Sequence, residues 1–151
     1  MNNVLKDLYA TMKEGKSAFH SMSDEDIGNL SAFFEIKKIT AGDILWKKED
    51  PYDYIAFVVS GKVGINKETE FKGKELVVGI YSKGALCILD DSVRKVTAEA
   101  MEDVTLAIIT QENLDKLIDT NPRLGAKLLE GMLHTVSSRL RQSFDRLAVF
   151  F

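Results

Sequence analysis

Few side chains in this sequence are placed to do chemistry. Cys87 is the single thiol. One cysteine cannot close an intramolecular disulfide or build a multi-cysteine metal cluster. Its isolation favours a small apolar packing role over redox sensing. His20 and His134 are the only imidazoles and fall in separate helical regions. Two histidines with no His-x-His pair are too few for most histidine-based zinc sites. The chain has no Walker loop, nucleophile elbow or paired-histidine helix. Arg94 can form a charge-assisted pair with an anion. It follows Asp90 and Asp91, however, so by composition alone it reads as a surface arginine satisfied by an internal salt bridge. Lys37-Lys38, Lys47-Lys48 and the pair Arg139 and Arg141 read as solvated faces.

The elements that position these residues fall into three regions. The chain has 151 residues, 45% hydrophobic and 28% charged, with a net charge of −3. That composition is globular and argues against disorder. It lacks the cationic excess that DNA binders use to release counterions. No apolar stretch approaches a membrane span, and the polar N-terminus lacks a signal-peptide core. A cytoplasmic protein, complete from Met1, is the expectation. Residues 1–32 read as helical. Val4, Leu5, Leu8 and Met12 form one apolar face, Gly15 ends it, and Ser23 before Asp24, Glu25 and Asp26 looks like an N-cap.

Residues 33–110 break into short β-prone runs punctuated by Gly, Asp and charged pairs. Strands are expected at Phe33–Ile39, Asp43–Trp46, Tyr54–Val59, Lys62–Asn66, Leu76–Ser82, Lys95–Ala100 and Val104–Ile109. No helix-length segment separates them, so a sandwich or barrel is expected rather than a doubly wound parallel sheet. Trp46 is expected inside it. Residues 111–151 return to helix, with Thr110 and Asn121 as caps and Pro122 at a first helical position. Leu129, Leu133, Val136, Leu140, Phe144, Leu147 and Phe151 then recur close to the 3.5-residue period of a coiled-coil seam. A parallel homodimer through that helix is the expectation.

Local motifs make this order of elements more specific. The run Ile39-Thr40-Ala41-Gly42-Asp43-Ile44-Leu45-Trp46 resembles the early turn of cyclic nucleotide-binding domains. The stretch from Asp53 through Gly61-Lys62-Val63 is similar to that family's central strand pair. Arg94-Lys95-Val96-Thr97-Ala98-Glu99-Ala100 resembles the end of its phosphate-binding cassette. The resemblance covers the chain from about residue 19 onward. It implies an α+β, mainly β fold: an antiparallel β-roll or jelly-roll barrel flanked by N-terminal helices and a long C-terminal helix.

The resemblance also implies a ligand and a site. The ligand would be cAMP or cGMP, with no further cofactor, no metal and no catalysis. Arg94 would pair with the cyclic phosphate and Gly84 would be the close-approach glycine. Backbone N–H groups from Gly84 through Ala85, Leu86, Cys87 and Ile88 would surround the anion. Leu86 and Ile88 would take apolar cassette positions, Thr97 is retained at the cassette's end, and Leu76 and Val78 would face purine and sugar. Three positions depart from the family pattern. Ala85 stands where a glutamate accepts from the ribose 2′-OH, Lys95 where a serine or threonine touches the phosphate, and Asp50 where a glycine is common.

Two functions follow. One is a stand-alone sensor that relays ligand binding through its C-terminal helix to a dimer or an unidentified protein partner. No helix-turn-helix follows within this sequence, so no DNA-binding module is expected. The alternative is a dimerisation or interaction scaffold that keeps the fold without nucleotide binding, favoured by Ala85 and Lys95.

Overall fold

Runs of consecutive buried residues explain the layering of this molecule. The computed structural model describes residues 22–46, 54–68, 73–82, 86–87 and 97–148. In chain order these are α1 (Asp24–Ser31), β1 (Glu35–Ile39), β2 (Ile44–Trp46), β3 (Tyr54–Ser60), β4 (Val63–Glu68), β5 (Glu75–Tyr81), β6 (Leu86–Cys87), β7 (Thr97–Ala100), β8 (Val104–Thr110), α2 (Gln111–Thr120) and α3 (Pro122–Ala148). The described strands form two antiparallel four-stranded sheets, ordered β1-β8-β3-β6 and β2-β7-β4-β5. This is the α+β roll expected from the sequence.

β3 and β8 are central in the first sheet and carry four consecutive buried residues each. Side chains alternate across a strand, so each run serves two cores. Ala56, Val58, Leu106 and Ile108 join Trp46, Val63, Ile65 and Ala98 between the sheets. Phe57, Val59, Ala107 and Ile109 turn the other way, toward Ile27, Leu30, Leu117, Leu124 and Leu128 of the helices. The first sheet is therefore the middle of three layers.

Most expected strands form, with edges set by local bonds. The first begins at Glu35 rather than Phe33. The Phe33 and Phe34 N–H groups donate instead to the Leu30 and Ser31 carbonyls, closing the last turn of α1. Lys95 and Val96 lie outside the described residues, and β7 is described from Thr97. β6 was not anticipated, because two residues carry no period. The expected helix over Val4 to Met12, with Gly15, also lies outside the described residues.

Gly61 makes the β3–β4 turn at φ +90°, a region costly to side chains. A Cβ there would stand 2.9 Å from the Cα of Val104, so the turn also needs the missing side chain.

The caps form as the sequence indicates. Ser23 and Asp26 make a reciprocal capping box on α1. The Thr110 hydroxyl accepts from the Asn113 N–H, and Asn121 Oδ1 accepts from the Leu124 N–H at the start of α3. At 1.5 Å per residue, the 27 residues of α3 span about 40 Å. Only the first part is embedded: Leu124, Gly125, Leu128, Gly131 and Met132 are buried, and none beyond is. Leu129, Leu133, Val136, Leu140, Phe144 and Leu147 form an exposed stripe, each 42% to 68% accessible.

Asp26 ties the two ends of the chain together. Its side chain is 6% exposed, with Arg123 Nη2 at 2.8 Å from Oδ1 and Lys127 Nζ at 3.1 Å from Oδ2. The Arg123 guanidinium first, and then the Lys127 ammonium, hold this carboxyl well below the usual carboxylate range against the opposing effect of burial. A depressed folded-state pKa contributes stability that is present above the unfolded value near 4 and is lost as pH falls through the folded one. Asp26→Asn should therefore flatten the dependence of stability on pH below about 4. Denaturant melts of both chains across that range check this, and parallel acid limbs would contradict it.

Candidate functional site

β5 and β6 are the edge strands of the two sheets. Only residues 82–85 lie between them, and five residue steps span at most ~18 Å. The two edges therefore border one opening between the sheets. The chain then crosses from the first sheet at Cys87 to the second sheet at Thr97. Residues 88–96 must bridge the layers, as the expected cassette would.

The expected site residues divide accordingly. Leu86 and Cys87 lie on β6, where they pair with Phe57 and Ala56 of β3. Thr97 opens β7, half-buried opposite Asn66 of β4. Leu76 on β5 pairs with Lys67 and is 61% exposed, so it is open to a ligand rather than packed in the core. Val78 is on the same strand. Gly84, Ala85, Ile88, Arg94 and Lys95 lie outside the described residues, as does Asp50. β5, β6 and β7 thus frame both ends of the expected cassette.

A further side chain borders the opening. Arg139, expected on a solvated face, is half-buried. Its guanidinium carbon sits 4.0 Å from the centre of the Tyr81 ring, within cation–π range. Its Nη2 is 3.9 Å from where a Cβ on Gly79 would be. Gly79 pairs with Ile65 and Tyr81 with Val63, both buried between the sheets. Directly paired residues share a face, so Arg139 meets the inner face of β5. The sequence signal for this is thin. Arg139 immediately precedes the seam residue Leu140, but nothing local marks Tyr81 as its partner, 58 positions away. Arg123 and Lys127 offered more: two cations four apart share one helix face, and the exposed part of that face points at Asp26.

Among the described residues, no group of three His, Cys, Asp or Glu side chains is placed to hold a metal ion. No described helix is long and apolar enough to cross a membrane.

Comparison with known proteins bears on the same region. The family model for the cyclic nucleotide-binding domain matches residues 36–121, more than half of the chain. A protein of Rhodopseudomonas palustris, named as a candidate potassium channel, is 22% identical over 111 residues, covering 73% of this chain and 27% of its own length. The cyclic AMP receptor protein of Thermus thermophilus is 25% identical over 119 residues, covering 76% of this chain and 55% of its own. The chain thus spans about a quarter and about half of these two curated relatives. Among solved structures, a cyclic nucleotide-binding domain from Methylobacillus flagellatus superposes with a TM-score of 0.83 at 22% identity, covering 97% of this chain and 84% of that one. Family match, two-sheet roll and framed cassette agree: this chain belongs to the cyclic nucleotide-binding domain family.

Proposed function

We propose that this chain is a cyclic nucleotide-sensing regulatory module, not an enzyme, that binds cAMP or cGMP in the cytoplasm and relays the signal through α3. The observation that carries the reading is the opening bordered by β5, β6 and the far half of α3, inside the region matched by the family. Arg94 pairs with the cyclic phosphate, and backbone N–H groups from Gly84 to Ile88 complete the anion site. Leu76 and Val78 lie along the nucleoside.

The relay follows from how α3 is held. Its first turns are fixed by Asp26 and by Leu124 and Leu128. Its far half touches β5 through Arg139 and Tyr81. A ligand between β5 and the helix therefore acts on the far half and leaves the anchored half in place. It shifts the helix only by binding one position more tightly than the other. The exposed stripe beyond Met132 carries the output, to a second copy or to a protein partner.

Thermal unfolding with each nucleotide tests the reading. A ligand at a hundred times its dissociation constant adds about 2.7 kcal/mol of stability. For a chain of this size that is a rise of about 5–11 °C in Tm. No shift with either nucleotide at millimolar concentration would favour a scaffold without ligand. That second reading draws on Ala85 and Lys95, since alanine cannot accept a hydrogen bond from a ribose hydroxyl.

A further inference from the structure

We infer that Arg139 is a specificity-determining residue that selects a guanine over an adenine cyclic nucleotide. The inference rests on the nucleotide-sensing reading and narrows its ligand class. Arg139 lies over the inner face of β5 beside Gly79, where no side chain stands between the guanidinium and the strand. Stacking on Tyr81 uses the face of the guanidinium plane and holds that plane in one orientation. The edge, with its N–H donors, stays available. Among the described residues, no carboxylate stands within salt-bridge distance of it. A half-buried arginine fixed in plane with a free donor edge is suited to a planar group that presents two adjacent acceptors.

The charge balance directs that edge to the base. A cyclic nucleotide phosphate carries one negative charge, and Arg94 matches it. Arg139 approaches from across β5, the strand that lies along purine and sugar. Guanine presents O6 and N7, both acceptors, to such an edge. Adenine presents the N6 amino group, a donor, where O6 would be. A guanidinium has no acceptor to offer that amino group, so adenine leaves an N–H facing an N–H.

The test compares cGMP, cIMP and cAMP by calorimetry on the parent chain, Arg139→Gln and Arg139→Ala. Inosine keeps O6 and N7 but lacks the 2-amino group, so it reports the Arg139 contact alone. A good bidentate pair discriminates by about 5- to 150-fold. The parent should bind cGMP and cIMP tighter than cAMP by a factor in that range. Arg139→Ala should bring the three within about twofold of one another. Arg139→Gln should turn the preference toward cAMP, because a glutamine amide can pair with adenine N6 and N7. Both substitutions suit a partly exposed helix position, so the fold is retained.

Three results would overturn the inference while leaving nucleotide sensing intact: a parent that prefers cAMP or shows no preference, a guanine preference that survives Arg139→Ala, or an equal loss of all three nucleotides on substitution, which would assign Arg139 to the phosphate. A parent that binds none of the three at millimolar concentration would overturn the sensing reading itself, and this inference with it.

Discussion

Arg94→Ala is expected to weaken cyclic nucleotide binding by about 100- to 4,000-fold. Removing one partner of a buried charge pair costs roughly 3–5 kcal/mol, and each 1.4 kcal/mol is a factor of ten. A dissociation constant in the micromolar range would move to the millimolar range or beyond. The unliganded Tm should barely change, because the cores are built from β3, β8, α2 and α3 and contain no residue of the 83–96 segment. The variant should therefore melt like the parent alone and fail to respond to nucleotide. If Arg94→Ala binds as tightly as the parent, the phosphate is held elsewhere and the assignment of residues 84–94 as the anion site is wrong.

Leu140→Glu is expected to convert a dimer into a monomer. The stripe Leu129, Leu133, Val136, Leu140, Phe144 and Leu147 recurs at spacings of 4, 3, 4, 4 and 3 along one helix face and is exposed throughout. An apolar stripe of that regularity fits a parallel two-helix contact with a second copy. By two-fold symmetry one substitution removes two leucines from the seam, each worth about 1.5–3 kcal/mol of burial, and sets two carboxylates in their place. The dimer dissociation constant should rise by at least about 100-fold. Light scattering at tens of micromolar should give twice the 16.9 kDa chain mass for the parent and a single mass for the variant. The barrel should keep its Tm in the variant, because Leu140 belongs to neither core. A parent that scatters as a strict monomer would remove the dimer from this account.

What the sequence disclosed, and what it withheld, follows from the range of each interaction. Caps are local: Ser23, Thr110 and Asn121 act within three residues, and all three form as read. Strands bounded by Gly or Asp were legible within about two residues because turn chemistry is local too. The exposed seam of α3 was legible because the helical period is written along one segment. The two sheets were less so. β3 and β8 read as unbroken apolar runs, and only the third layer of helices explains why both faces of each are buried.

The site was read through motifs. Their flanks, Leu86, Cys87 and Thr97, now lie on strands from opposite sheets, so the residues between them span the layers. Leu76 stands open on β5 as that reading requires. The pairings of Asp26 with Arg123 and of Arg139 with Tyr81 join residues 97 and 58 positions apart. Charge alone gave no reason to take either arginine off the surface. Both contacts appear only when the roll brings α3 across the chain's earlier strands and α1.

The pairing of β1 with β8 has a consequence for how this chain is made. Glu35 to Ile39 find their backbone partners in Val104 to Ile108, and no other strand borders β1. β1 leaves the ribosome about 65 residues before the strand it needs. At roughly 5–20 residues per second, it waits about 3–13 s with its ladder groups unpaired. The helical core waits longer, because Leu124 and Leu128 come later still. Through that interval Ile27, Leu30 and Phe57 have no layer to enter, and the growing chain must stay soluble on its polar residues alone. The domain is thus assembled from its last third, and a nascent chain stalled before residue 104 holds neither of its finished cores.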